Sequence, residues 1–345
     1  MLFKKIPKEE LKALVGQILE TTEVIGPVKV TENVKGKPIH EFRAIKSFSD
    51  IDLTYETTAL SAKTYFLPFK ETLSTFKFAD NDWMQQISYW KTPRAIIGMH
   101  ACDINGLLKL DKVFTKEVFP SPYYLARRNN TFIVGIDHNP CDGGFCRSLG
   151  TDTTNRGFDL FLTDLRDCYY VAVGSDKGFN ALQKIKSQDV TEEDNQAYLA
   201  KRQDIVKKFE TKVDVQDLPN VLDIEFKSSV WKKYGDKCLS CGTCAMVCPT
   251  CYCYGISEDV AMDFSTSSKI KQLYSCNILD FAMVAGGHNF RESRDTRLKY
   301  RYYHQHRGFV ESYGEPKCVG CNRCGRACLA GIDPKDVINE IQAEV

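Results

Sequence analysis

The stretch Cys238-Leu-Ser-Cys241-Gly-Thr-Cys244-Ala-Met-Val-Cys248-Pro249 decides how this chain is read, and Cys318-Val-Gly-Cys321-Asn-Arg-Cys324-Gly-Arg-Ala-Cys328 echoes it near the C-terminus. Both follow C-x2-C-x2-C-x3-C, the spacing that turns three thiolates onto one cubane iron–sulfur cluster and sends the fourth to its neighbour. Pro249 supports a chain turn there, because it has no backbone N–H and a fixed φ. The spacing assigns Cys238, Cys241, Cys244 and Cys328 to one 4Fe-4S cluster. It assigns Cys318, Cys321, Cys324 and Cys248 to a second.

Zinc is the chemical competitor, since it also uses C-x2-C pairs, but a zinc site needs only two such knuckles and each run here carries four cysteines. Met1 leads into Leu2-Phe3-Lys4-Lys5 without an apolar core, so no secretory signal is expected. Reduced thiols in a cytoplasmic setting then make metal binding the expected use of fifteen cysteines. With 345 residues, 43% hydrophobic and 26% charged, the chain is long enough for two domains. A net charge of +1 gives no reason to expect nucleic acid or an anionic membrane surface, and no apolar run is long enough for a membrane helix.

The expected fold is α+β. A mixed α/β domain over residues 1–225 precedes a helical, ferredoxin-like dicluster domain over 226–345, which carries an insertion at 250–317. Pro7 to Glu20 has helical spacing, with Leu11, Leu14, Val15 and Ile18 on one face. Val24–Val30 and Ile39–Ile45 read as strands, and 64–77 as an extended segment leading into a short helix. Ala95–His100 is a buried strand running into a helix from Ala101, which puts Cys102 and Asp103 at the strand's C-terminal end, where α/β sheets place functional groups. Thr131–Ile136 repeats the pattern, and its exit loop carries Cys141 and Cys146. Residues 158–165 and 169–174 form a hairpin, in which Cys168 is a small apolar side chain of the strand. Thr191 caps a long helix reaching about Val213, and the domain boundary falls between 214 and 229.

The insertion adds Cys251, Cys253 and Cys276. A third 4Fe-4S cluster bridging the two domains is expected on Cys102, Cys146, Cys253 and Cys276, with Cys141 and Cys251 as substitutes. A zinc site on the same residues is the alternative. Gly286-Gly287 reads as a close-packing turn, because the strand–loop–helix setting of a nucleotide fingerprint is missing. His288 is expected to be a structural hydrogen-bonder or a group beside a cluster rather than a ligand of one. The Arg/Tyr-rich stretch 297–304 is expected to be solvated, or to serve as a docking surface for an acidic partner.

Taken together, His100-Ala-Cys-Asp103, Gly144-Phe-Cys146, Gly157-Phe-Asp-Leu160, the run from Cys238 to Tyr254, Ala285-Gly-Gly-His-Asn-Phe-Arg291 and Cys318-Val-Gly-Cys321 carry a resemblance over most of the chain. It resembles the iron–sulfur beta subunit of cytosolic NAD(P)-linked nickel–iron hydrogenases (sulfhydrogenases). It is similar also to the iron–sulfur subunit of the anaerobic, siroheme-type sulfite reductase and to the equivalent subunit of heterodisulfide-reductase-like complexes. Two departures stand out: Gly144-Phe145-Cys146 replaces a Cys-Phe-Cys, and Cys328-Leu-Ala replaces a Cys-Pro. The first puts the third-cluster ligands in doubt, with Cys141 as a stand-in.

The resemblance implies an electron-transfer subunit without catalytic residues of its own. Its partners would be a flavin- and NAD(P)-binding subunit with an iron–sulfur centre, and a terminal catalytic subunit: a nickel–iron hydrogenase, a siroheme sulfite reductase or a heterodisulfide-reductase-like enzyme. The competing readings are a stand-alone iron–sulfur reductase with a substrate-accessible cluster, and a redox sensor. The near-neutral charge speaks against a nucleic-acid-binding sensor.

Overall fold

The computed structural model describes residues 2–33, 36–79, 82–90, 92–116 and 118–345. In chain order, β1 (Leu2–Pro7), α1 (Lys8–Leu19), β2 (Glu23–Glu32), β3 (Pro38–Ala44), β4 (Lys70–Ala79), β5 (Asp82–Ile87), β6 (Arg94–His100) and α2 (Ala101–Thr115) open the chain. Then come α3 (Pro122–Asn129), β7 (Thr131–Ile136), β8 (Leu160–Asp164), β9 (Cys168–Val173), α4 (Asp176–Leu182), β10 (Gln188–Asp189), α5 (Glu192–Lys207) and α6 (Leu218–Ile224). The cysteine-bearing part holds α7 (Ser229–Lys237), α8 (Thr243–Met246), β11 (Tyr254–Val260), β12 (Thr266–Leu273), α9 (Arg294–His306), α10 (Gly308–Tyr313), α11 (Arg323–Arg326) and α12 (Pro334–Gln342).

Strands β10-β1-β9-β8-β7-β6-β2-β3 form one mixed sheet, with β2, β6, β7 and β8 parallel to one another at its centre. Side chains alternate across a strand, so each central strand feeds two cores. Ile96, Met99 and Ile133 pack with Ile104 and Leu107 of α2 and Tyr124 of α3 on one face. Ala95, Ile97 and Val134 pack with Leu11 and Leu14 of α1 and Leu182 of α4 on the other. This α/β core aims the C-terminal ends of β6 and β7 at the cysteine-bearing part of the chain.

That part has its own core. Trp231 and Tyr234 of α7, Leu298 and Tyr302 of α9, and Val337, Ile338 and Ile341 of α12 are buried together, and Phe145 from the first half inserts among them. The insertion does not stay within its own half: β11 and β12 form a hairpin that pairs with β4 and β5 in a second sheet ordered β11-β12-β4-β5. Its outer strands leave Trp83, Met84, Ile87, Ile256 and Val260 exposed.

The strand–helix unit at Ala95, the hairpin around Cys168 and the helix after Pro7 stand where the sequence places them. Three details differ. The order at 64–77 is reversed: a short 3-10 turn at Ala62–Tyr65 precedes the strand from Lys70, because Pro68 cannot continue a helix but tolerates an entry to a strand. Helix α5 stops at Lys207 rather than near Val213, although Thr191 does cap it, in a reciprocal box with Asp194. Residues 297–304 are neither a solvated face nor a docking surface throughout, because α9 buries Arg297 and Arg301. Among the described residues no helix is long and apolar enough to cross a membrane.

Candidate metal centres

The two cysteine runs adopt one local geometry. Ser240 and Gly320, third in each run, both have positive φ (53° and 66°), as do Gly242 and Asn322 (80° and 50°). The first pair turns a backbone N–H back onto sulfur: Ser240 donates to Cys238 Sγ and Gly320 to Cys318 Sγ, each at 3.4 Å. The second pair starts the short helices α8 and α11. At Gly320 any Cβ would sit 2.6 Å from the backbone of Phe145 and Cys146, so glycine is required where the run passes beneath the first half of the chain.

Two cavities result. One is lined by Cys238, Cys241, Cys244 and Cys328, with Cys324, Leu239 and Leu329 also at its wall. The other is lined by Cys248, Cys318, Cys321 and Cys324, together with Phe145, Val319 and Tyr302. Each cavity thus receives the fourth cysteine of the opposite run. The first lies near the surface, where Cys241 is exposed, as are Leu239 and Leu329. The second is more enclosed: burial pushes the Cys318 thiol up to about 12 and the Cys324 thiol up to about 11. Such thiols give up their protons to a metal rather than to water.

Arg301, which the sequence reading missed, lines both cavities. It is buried, and its titratable neighbours are Cys244, Cys324, Cys251 and Cys248, with Nη1 3.6 Å from Cys251 Sγ. No carboxylate within ion-pair distance accompanies it among the described residues. A buried guanidinium without a counter-ion is strongly unfavourable, so the site fits a group that brings net negative charge to these thiols. Asn277 donates its side-chain amide to Cys244 Sγ at 3.2 Å, the kind of bond to sulfur that tunes a cluster.

The four residues expected to hold a third cluster fall into two pairs. Cys253 and Cys276 share a hydrogen bond, which with desolvation opposing it and Lys317, Arg291 and Lys63 nearby holds Cys253 down to about 6. Cys251, two residues before Cys253, shares a hydrogen bond with Cys248 and accepts from Gln305 Nε2 at 3.3 Å. Lys63 and Lys317 are buried there too. Lys63 donates to the Cys251 carbonyl at 2.9 Å, Lys317 lies 4.2 Å from the centroid of the Tyr252 ring, and neither is ion-paired with a carboxylate among the described residues.

Cys102 and Cys146 form the other pair, also hydrogen-bonded to each other, with Asp103, Arg323, Cys321 and Cys141 in their electrostatic surroundings. Cys141 donates its thiol to the Cys321 carbonyl at 3.3 Å. Cys168 stands apart, half-buried in β9 near Lys5 and Asp194. His288 lies in an exposed turn, against Phe290.

The halves are tied at this site. Arg323, between Cys321 and Cys324, makes a bidentate pair with Asp103 at 2.7 Å on both arms and donates to the Thr58 carbonyl and hydroxyl at 3.0 Å. Phe145 N–H donates to the Gly320 carbonyl at 2.8 Å, and the Thr151 hydroxyl to the Val319 carbonyl at 2.7 Å.

Residues 237–332 match the family model of the 4Fe-4S dicluster domain. Over 348 aligned residues, 99% of both chains, the protein is 35% identical to the sulfhydrogenase 2 subunit beta of Pyrococcus furiosus. No solved structure matches it. With two cysteine-lined cavities and this likeness end to end, the chain belongs to the family of sulfhydrogenase beta subunits.

Proposed function

We propose that this chain is the electron-transfer subunit of a hydrogenase assembly, holding 4Fe-4S clusters between a flavin- and NAD(P)-binding subunit and a terminal nickel–iron subunit. The observation that carries the reading is the pair of cysteine-lined cavities sharing Arg301. Cubanes supply reversible one-electron transfer at potentials set by charge, burial and hydrogen bonds to sulfur. The chain's part is to hold them. Cys238, Cys241, Cys244 and Cys328 would bind the outer one, and Cys248, Cys318, Cys321 and Cys324 the inner one. Arg301 supplies counter-charge, Asn277 a hydrogen bond, and Tyr302 and Val319 exclude water.

The exposed Leu239 and Leu329 beside the outer cavity make it the natural point of exchange with a neighbouring subunit. For a third centre, Cys251, Cys253 and Cys276 are better supported than the expected set that joins Cys253 and Cys276 to Cys102 and Cys146. The buried Lys63 and Lys317 call for negative charge at the first group. Fifteen free thiols suit a reducing, cytoplasmic compartment.

Crossed ligation gives the test. Cys328→Ala should remove or degrade the cluster of the first run, lowering iron by one to four per chain, while the signal of the second run's cluster persists. Loss of the second run's cluster alone would refute the crossed assignment. The partner side is tested on the apolar outer strand β5. Trp83→Glu paired with Met84→Glu is expected to abolish co-purification with the other subunits without changing iron content, since apolar patches of this kind mark protein contacts. Unchanged co-purification would exclude that face.

A further inference from the structure

We propose that the first half of the chain holds a mononuclear metal ion of its own, zinc by the chemistry of its donors, on Cys102, His138 and Cys146. The sulfurs of Cys102 and Cys146 and a ring nitrogen of His138 all lie within 4.8 Å of one another. Ligands around one tetrahedral ion stand that close, at zinc–sulfur and zinc–nitrogen bonds of about 2.3 and 2.1 Å. Thiolates on a cubane stand on the outside of a cube and are spread farther apart.

His138 is the second, independent observation. It is 6% exposed, and neither ring nitrogen has a hydrogen-bond partner among the described residues. A buried imidazole with both nitrogens unsatisfied is costly, and a metal ion beside two thiols satisfies one of them. The ring is already oriented: His100 stacks on it at 4.4 Å and 10°, and Tyr55 stacks on His100 at 3.9 Å.

The fold explains why the three converge. Cys102 is in the first turn of α2 after β6, His138 lies two residues beyond β7, and Cys146 opens a 3-10 turn in the loop that follows. Adjacent parallel strands thus deliver the donors at their C-terminal ends. Two thiolates and an imidazole select zinc or ferrous iron over hard cations. Three protein ligands leave a fourth position, because Cys141 is engaged with the Cys321 carbonyl. The ion would pin the 138–151 loop, whose Phe145 and Thr151 hold the second cysteine run from above. The inference is independent of the relay reading, since it uses none of the eight cysteines of the two runs.

The test is metal and acid-labile sulfide analysis of the full chain, purified without oxygen, with X-ray absorption at the zinc and iron edges. The expected result is one ion per chain in excess of sulfide-matched iron, coordinated by two sulfurs and one nitrogen. His138→Ala and Cys102→Ser should each lose that ion with sulfide unchanged. Absence of such an ion in the wild-type chain overturns the proposal. So does a variant that loses about four irons together with four sulfides, which would place a cluster there. If both variants fail to fold, the wild-type stoichiometry and absorption spectrum decide alone.

Discussion

Arg301→Met is expected to shift the reduction potentials of both cubanes to more negative values by roughly 90 mV, because removing a unit charge at about 8 Å with an effective dielectric near 20 costs the reduced state about 2 kcal/mol. The direction follows from the charge: an added electron loses its nearest fixed cation. The same substitution should have the opposite sign in the metal-free chain. There the guanidinium is a buried cation with no carboxylate within ion-pair distance among the described residues, and a methionine of similar length relieves that burial. A potentiometric titration of the loaded protein and a thermal melt of the metal-free one check the two halves. A shift of less than about 20 mV would mean that the cation is screened, which its burial argues against. Arg301→Lys should recover much of the potential while losing the donation toward Cys251.

The second large effect is expected at Asp103. Asp103→Ala leaves Arg323 buried in the second run without its carboxylate. Breaking a buried pair from one side costs about 3–5 kcal/mol, which for a chain of this size lowers the melting temperature by on the order of 5–10 °C. The second run should lose iron first on warming, because Arg323 stands between two of its cysteines. Asp103→Asn keeps the shape and part of the hydrogen bonding and should be milder. Anaerobic calorimetry with iron analysis of the heated samples separates the two variants. A cost below about 1 kcal/mol would show that the two halves are held by packing rather than by this pair.

The gathering of the eight cysteines around two cavities was legible because spacing alone carries it: C-x2-C-x2-C-x3-C constrains sulfur positions through local backbone geometry, and the structure folds both runs alike around Ser240 and Gly320. The central strands were legible for a similar reason, since Ala95–His100 and Thr131–Ile136 are short β-branched runs buried on both faces. What escaped depends on long-range contacts. Arg301 reads as one more basic residue in a polar stretch until α9 turns it inward onto cysteines 23 to 57 positions away in the sequence. Its only local signal is its spacing of four from Arg297, which marks one helix face.

His138 carries no motif, and only the adjacency of β6 and β7 brings it to Cys102. The β11–β12 hairpin was missed because its exposed edge strand is rich in polar residues and lacks a tight-turn signature. The extended reading of α5 past Lys207 continued an apolar stripe, Ile205 and Phe209, that the structure buries through a turn instead.

The central claim, that this chain carries electrons through paired cubanes held by crossed runs, is tested most directly by stepwise reduction of the oxygen-free protein under electron paramagnetic resonance, with iron and sulfide counted on the same sample. The expected result is equal iron and sulfide of at least about eight each per chain. Reduction beyond one electron should then produce the broadened, interacting signals of neighbouring clusters. A sample with about four irons, or with signals that remain uncoupled at full reduction, would contradict it.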